Sequence, residues 1–186
     1  GVAIPAENIL ITKGSQMGIY LASQLLLQPR DHIAVGTSNY ALADDTFRQA
    51  GANLLRIPVD GKGMDVDHLE KVLKKKKIKA VYIIPHHHCP TTVTMSMERR
   101  LKLLGLAKEY RFAIIEDDYD YDFHYDNKPY LPLPSIDHNQ SVIYLGSVTK
   151  TFAPALRIGF MLGPPKFVDA AAALRELIDK QGDTVM

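Results

Sequence analysis

Ala80-Val-Tyr-Ile-Ile84 shows no polar–apolar alternation. A strand with one wet face alternates every second residue, so this run belongs to a strand covered on both faces, as in the middle of a parallel sheet. The chain around it repeats a strand–helix rhythm. Before it, Asp65 and Asp67 can cap a helix ending in the solvated lysines 74–77, which favour the negative end of the helix dipole. After it, Ser96 caps a helix to Tyr110, and Phe112-Ala-Ile-Ile115 is the next strand. Further out, strands are expected at Asn8–Thr12, His32–Gly36, Asn53–Val59, Val142–Leu145 and Ile158–Leu162. Helices are expected from an N-cap at Ser15 to Leu27, over Asn39–Ala50 with Gly51 at its C-terminus, and over Pro164–Lys180. Strands that alternate with helices and are mostly apolar throughout make an α/β fold. It is a three-layer α/β/α domain around a mostly parallel seven-stranded sheet, spanning residues 1–186.

Composition narrows the function. The 186 residues are 46% hydrophobic and 23% charged with a net charge of +1, which leaves no electrostatic footprint for nucleic acid. No apolar run reaches the length of a membrane span, and a single cysteine, Cys89, makes no internal disulfide, so a cytoplasmic protein is expected. Gly1 lacks an initiator Met and Met186 follows a helical run without a closing element, which suggests a piece of a longer protein.

In open parallel sheets, ligands sit outside the carboxyl ends of the strands. The residues expected there are Gly14-Ser15-Gln16, Tyr40, His86-His-His-Cys-Pro90, Glu116-Asp117-Asp118-Tyr119 and Ser147 to Lys150, with Arg157 just before the last strand. Gly14-Ser15-Gln16 opens a helix, where free N–H groups attract anions and glycine admits a phosphate to the backbone; an ordinary helix start reads the same way. Three adjacent acids alternate in direction, so at most two converge. They fit turn caps, a charge partner for a cationic ring, or a metal cluster, although consecutive histidines seldom converge on one ion. Tyr40 and Tyr119 fit packing, or a stacking face and a hydroxyl donor for a flat ring. Cys89 reads as a packed thiol. Together with Lys150 as a Schiff-base amine and Arg157 as a phosphate fork, the set matches what a phosphorylated pyridine aldehyde requires.

The spacing S-x-x-K followed seven residues later by R-x-G (Ser147, Lys150, Arg157, Gly159) resembles the Schiff-base segment of fold-type I pyridoxal-phosphate proteins of the aspartate aminotransferase superfamily. The run Ile115-Glu-Asp-Asp-Tyr-Asp-Tyr-Asp-Phe-His-Tyr125, with Leu156-Arg-Ile-Gly159 after Ala153-Pro154, is most similar to the MocR/GabR subgroup, regulators that join a GntR-type winged helix to an aminotransferase-like domain. The resemblance implies pyridoxal 5'-phosphate as cofactor, with Lys150 as its aldimine lysine. Asp117 would contact the pyridine nitrogen, Tyr119 the 3-hydroxyl and Tyr40 the ring face. Ser15, Gln16, Ser147 and Arg157 would hold the phosphate. It further implies a sheet whose last strand is antiparallel, and a homodimeric parent that takes an amino-acid or amine effector or substrate. DNA would be bound only through a domain outside this chain. The alternative is the large domain of a free-standing aminotransferase acting on amino acids and 2-oxo acids. The chain departs from the family at Cys89-Pro-Thr-Thr92, where an Asn- or Phe-Pro-Thr-Gly run is usual; the Cys89–Pro90 bond is a candidate for the cis form. It also lacks the small domain with its substrate-binding arginine, so the piece alone is expected not to turn over an amino acid.

Overall fold

The computed structural model describes residues 4–121, 123, 131–148 and 157–179. Its strands are β1 (Ile9–Thr12), β2 (His32–Gly36), β3 (Asn53–Ile57), β4 (Val59–Asp60), β5 (Gly63–Met64), β6 (Ala80–Ile83), β7 (Ala113–Asp118), β8 (Val142–Ser147) and β9 (Gly159–Leu162). Seven of them form one sheet in the order β1-β9-β8-β7-β6-β2-β3, while β4 and β5 make a separate hairpin; the third strand, expected to reach Val59, ends at Ile57, and Val59 begins the hairpin. Strand β9 is antiparallel to both β1 and β8, and the remaining pairs are parallel.

Among the described residues, five α-helices cover the sheet: α1 (Gly14–Leu26), α2 (Ala41–Gln49), α3 (Val66–Leu73), α4 (Met97–Tyr110) and α5 (Pro165–Glu176). Ile19, Leu21, Phe47 and Ala171 from α1, α2 and α5 share one core with Ile33, Tyr82, Ile115 and Leu145 of the sheet. Leu69, Leu73 and Leu103 from α3 and α4 share the other core with Ala34, Val81, Ile83 and Ile114. Consecutive strand residues such as Ile114 and Ile115 thus enter opposite cores, and both are fully buried. This is why β6 and the first half of β7 carry no alternation, and each such side chain contributes about 2 kcal/mol of burial.

Local capping chemistry explains two of the helix starts. Asp65 accepts from the His68 N–H at 2.9 Å ahead of α3, and Ser96 from the Arg99 N–H ahead of α4. Asp67 does not cap: it lies inside α3, which stops at Leu73, before the lysines. Ser15 is not an N-cap either. Helix α1 starts two residues earlier than that cap implies, at Gly14, with Lys13 before it and no side-chain cap, so the Ser15 hydroxyl is left for other work. Tyr40 is the residue that leads into α2.

Candidate functional site

Strand β9 lies between β1 and β8, so that Gly159 pairs with both Thr12 and Ser147. The turn after β1 and the end of β8, far apart in the chain, therefore meet beside Arg157. Gly14 has φ +71°, a left-handed conformation that glycine adopts without strain. A Cβ built there would lie 3.2 Å from Arg157 Nη2, so the bare turn is what lets the guanidinium lie against it. The N–H groups of the first turn of α1 have no intrahelical acceptor, and with Arg157 they make an anion-seeking corner. The Gln16 amide donates to Thr46 Oγ1 at 3.0 Å, which leaves the Gln16 backbone N–H as what that residue offers an anion.

Strand β7 runs on through the acids instead of ending at Ile115, so Glu116, Asp117 and Asp118 are all buried within it. Their alternation separates them. Asp117, 2% exposed, points with Ile115 toward the α1/α2 side. There Tyr82 of β6 donates to its Oδ2 at 2.7 Å, while Oδ1 has no hydrogen-bond partner among the described residues. Burial pushes the Asp117 carboxyl up to about 6, opposed by the Tyr82 hydroxyl and more weakly by Ser15, with the charges of Asp118 and Asp120 adding to the rise. Gly14, Ser15, Gln16, Tyr40, Asp117, Tyr119, Ser147 and Arg157 all line one cavity of about 310 Å³, closed by Ile84 and Cys89. Lys150 lies outside the described residues. Burial, then the neighbouring Asp117 and Cys89, raises the Tyr40 hydroxyl, and Arg157 opposes this. The Tyr119 hydroxyl donates to the His87 carbonyl at 3.0 Å. The Cys89–Pro90 peptide is cis. Ile84 and Tyr82 were not anticipated, and Cys89 had been read as mere packing.

Glu116 and Asp118 point to the other face. Tyr144 of β8 donates to Asp118 at 3.0 Å, His86 Nδ1 stands 2.9 Å from the same oxygen, and the Leu133 N–H donates to Glu116 at 3.0 Å. One ligand atom from each of His86, Glu116 and Asp118 lies within 4.8 Å of the others, in a hydrogen-bonded cluster separate from Asp117. A more apolar cavity of about 760 Å³ opens beside Tyr144 and Phe160 on this side, away from the groups above. Burial and the Asp118 charge raise Glu116 to about 8, against Arg100 and the Leu133 N–H. A carboxyl raised in the folded state binds its proton there while the unfolded chain has lost it, so stability falls as pH rises from about 4.5 to about 8. Glu116→Gln, neutral at every pH, is expected to flatten that slope by up to about 1.4 kcal/mol per pH unit, read from urea midpoints at pH 5, 6.5 and 8. An unchanged slope would mean that Glu116 is not the group responsible.

Among the described residues, no helix is long and apolar enough to cross a membrane. Residues 1–178 match the family model for aminotransferase class I and II. The chain is 35% identical over 183 residues to aromatic-amino-acid aminotransferase 1 of Thermococcus litoralis, covering 96% of this chain and 44% of that protein. It is equally 35% identical over 178 residues to the HTH-type transcriptional regulator TauR of Rhodobacter capsulatus, covering 96% of this chain and 36% of that one. Its fold superposes on the α-aminoadipate aminotransferase LysN of Thermus thermophilus with a TM-score of 0.93 at 27% identity, covering 97% of this chain and 47% of that one; that structure is complexed with N-(5'-phosphopyridoxyl)-L-leucine. The chain spans less than half the length of either curated relative. A family model matched over nearly the whole chain, together with a fold that superposes closely on LysN, identifies it as a member of the aminotransferase class I and II family.

Proposed function

We propose that this chain is the pyridoxal 5'-phosphate-binding large domain of a cytoplasmic, MocR-type transcriptional regulator, whose site senses an amino acid or amine. The observation that carries the cofactor reading is the unpaired, buried Oδ1 of Asp117, in the same cavity as the Gly14 turn and the Arg157 guanidinium. That donor and acceptor set fits a ligand with both a protonated ring nitrogen and a phosphate. Likeness to LysN, solved with a phosphopyridoxyl amino acid, supports the same ligand class.

When bound, pyridoxal phosphate supplies an aldehyde that condenses with primary amines and a protonated ring that withdraws electrons from the Cα of the attached amino acid. The protein's part is to bind, orient and hold protons. Arg157, the Ser15 and Ser147 hydroxyls and the N–H groups of Ser15 and Gln16 hold the phosphate, and Gly14 lets it approach the backbone. Asp117 would hold a proton on the ring nitrogen, Tyr40 would stack on the ring, and the Tyr119 hydroxyl, whose own proton goes to the His87 carbonyl, would accept from the ring's 3-hydroxyl. Ile84 and Cys89 keep water from that edge. Lys150 supplies the amine.

Likeness to the HTH-type regulator TauR supports the regulatory reading; in that reading the parent protein is a homodimer that binds DNA through a winged helix beyond this chain. The Thermococcus aminotransferase supports a second reading, a free-standing enzyme that moves an amino group between amino acids and 2-oxo acids. DNA binding that responds to an amine distinguishes the first reading; amino-group transfer to a 2-oxo acid distinguishes the second.

An absorbance spectrum of the full-length protein with added pyridoxal phosphate tests the cofactor. A band at about 400–430 nm is expected, moving to shorter wavelength in Lys150→Ala. No such band in the unaltered protein would sink the assignment.

A further inference from the structure

Tyr82 is fully buried in β6 and pairs in register with Ile115 of β7, so its side chain reaches diagonally to Asp117 on the same face. The ring is fixed by an edge contact with Phe47 at 5.3 Å, and its hydroxyl donates to Asp117 Oδ2 at 2.7 Å. This leaves Oδ1 as the only atom of the carboxyl available to a ligand. We propose that Tyr82 is a positioning residue for the cofactor site: it holds Oδ2 of Asp117 so that Oδ1 is presented, charged, to the ring N–H of the bound pyridine. The inference rests on a phosphorylated pyridine being the ligand.

The physical reasoning is a balance between burial and donation. Burial disfavours the Asp117 carboxylate, and the Tyr82 hydroxyl is the strongest of the groups that restore it. Ser15 faces Asp117 from α1, and Asp118 and Asp120 lie on its own segment. Tyr40 stands ahead of α2, Cys89 follows β6, and Arg157 lies two residues before β9. Among these, only Tyr82 meets the carboxyl from beneath, where no ligand can replace it. A neutral Asp117 could not hold a proton on a ring nitrogen. Tyr82 therefore governs the lowest pH at which the site accepts its ligand.

The test uses the full-length protein and pyridoxine 5'-phosphate, which keeps the ring nitrogen and phosphate but has an alcohol in place of the aldehyde, so that Lys150 plays no part. Dissociation constants are measured from pH 5.5 to 8. In the unaltered protein, affinity falls as pH drops through about 6, the range to which Asp117 is raised. In Tyr82→Phe the midpoint of that fall moves up by about one pH unit, the effect of losing one donor to a charged group. Affinity near pH 6 to 6.5 is then about threefold to fivefold weaker, and the two proteins converge by about pH 8. Phe47→Leu disturbs the packing of the same ring but keeps the hydroxyl, and it leaves the midpoint in place; a purely structural role would make both variants behave alike. Should Tyr82→Phe fail to fold, site-specific 3-fluorotyrosine at position 82, a stronger donor of nearly the same shape, moves the midpoint down. A midpoint unmoved by either change overturns the role of Tyr82. No binding by the unaltered protein overturns instead the cofactor reading beneath it.

Discussion

Arg157→Ala is expected to weaken pyridoxal phosphate binding by about 2–3 kcal/mol, or roughly 30- to 150-fold, while barely changing fold stability. The guanidinium is solvent-exposed at the rim and lies against the bare Gly14 turn, so its removal leaves no core cavity. The loss falls on the phosphate, which then keeps only hydroxyl and N–H donors. Backbone strain does not confuse the comparison, because Arg157 has φ +48° and alanine at that position is strained to a similar degree. Arg157→Lys retains charge but loses the planar fork, and should recover about half of the lost free energy. Pyridoxal, which lacks the phosphate, supplies the internal control: its affinity should be the same in all three proteins. Equal loss for both ligands would show that Arg157 shapes the cavity generally and is no phosphate clamp. Unchanged affinity for the phosphorylated ligand would remove it from the site.

What could be read from the sequence was what local chemistry decides. The unalternating run at residues 80–84, the caps at Asp65 and Ser96 and the glycine after α2 each have their cause within a few residues, and each stands in the structure close to where it was expected. The convergence of strand ends was also legible, because a parallel sheet must bring them to one edge. Misreadings arose where the partner comes from elsewhere. Glu116 to Asp118 looked like the end of a strand because the apolar run stops at Ile115. The strand continues because Tyr82, Tyr144 and the Leu133 N–H, each from a different element, give each of the acids a hydrogen bond inside it. Ser15 has the right chemistry for an N-cap, but with Gly14 at positive φ the helix starts two residues sooner. Cys89 could not be placed at the cavity from its neighbours alone. Period-two alternation said in advance that at most two of the three acids converge, while Asp117 was singled out by the resemblance; in the structure it faces away from Glu116 and Asp118, into the cavity.

Gly159→Ala should be the most damaging single methyl in the site, and the reason is backbone on backbone. A Cβ at Gly159 would fall 2.6 Å from the carbonyl carbon of Gly14, 2.8 Å from its Cα and 2.9 Å from the Gly146 oxygen. None of these is the end of a flexible side chain that could swing away. Gly159 is held in register with Thr12 on one side and Ser147 on the other, so relief requires prising β9 from β1 or from β8. Overpacking of this kind costs about 3 kcal/mol, and here the strain falls on the turn that carries Gly14 and Arg157. Loss of stability and loss of pyridoxal phosphate affinity should therefore appear together, unlike Arg157→Ala, where affinity alone is lost. Gly105→Ala is the matched control: it lies within α4 with nothing within 4 Å of the added methyl, and should stabilise the protein by up to about 1 kcal/mol through helix propensity. Urea denaturation of the three proteins, with and without cofactor, decides the matter. If Gly159→Ala unfolds at the same urea concentration as the unaltered protein, the close approach of β9 to the Gly14 turn is wrong, and with it the account of how Arg157 is brought to the phosphate corner.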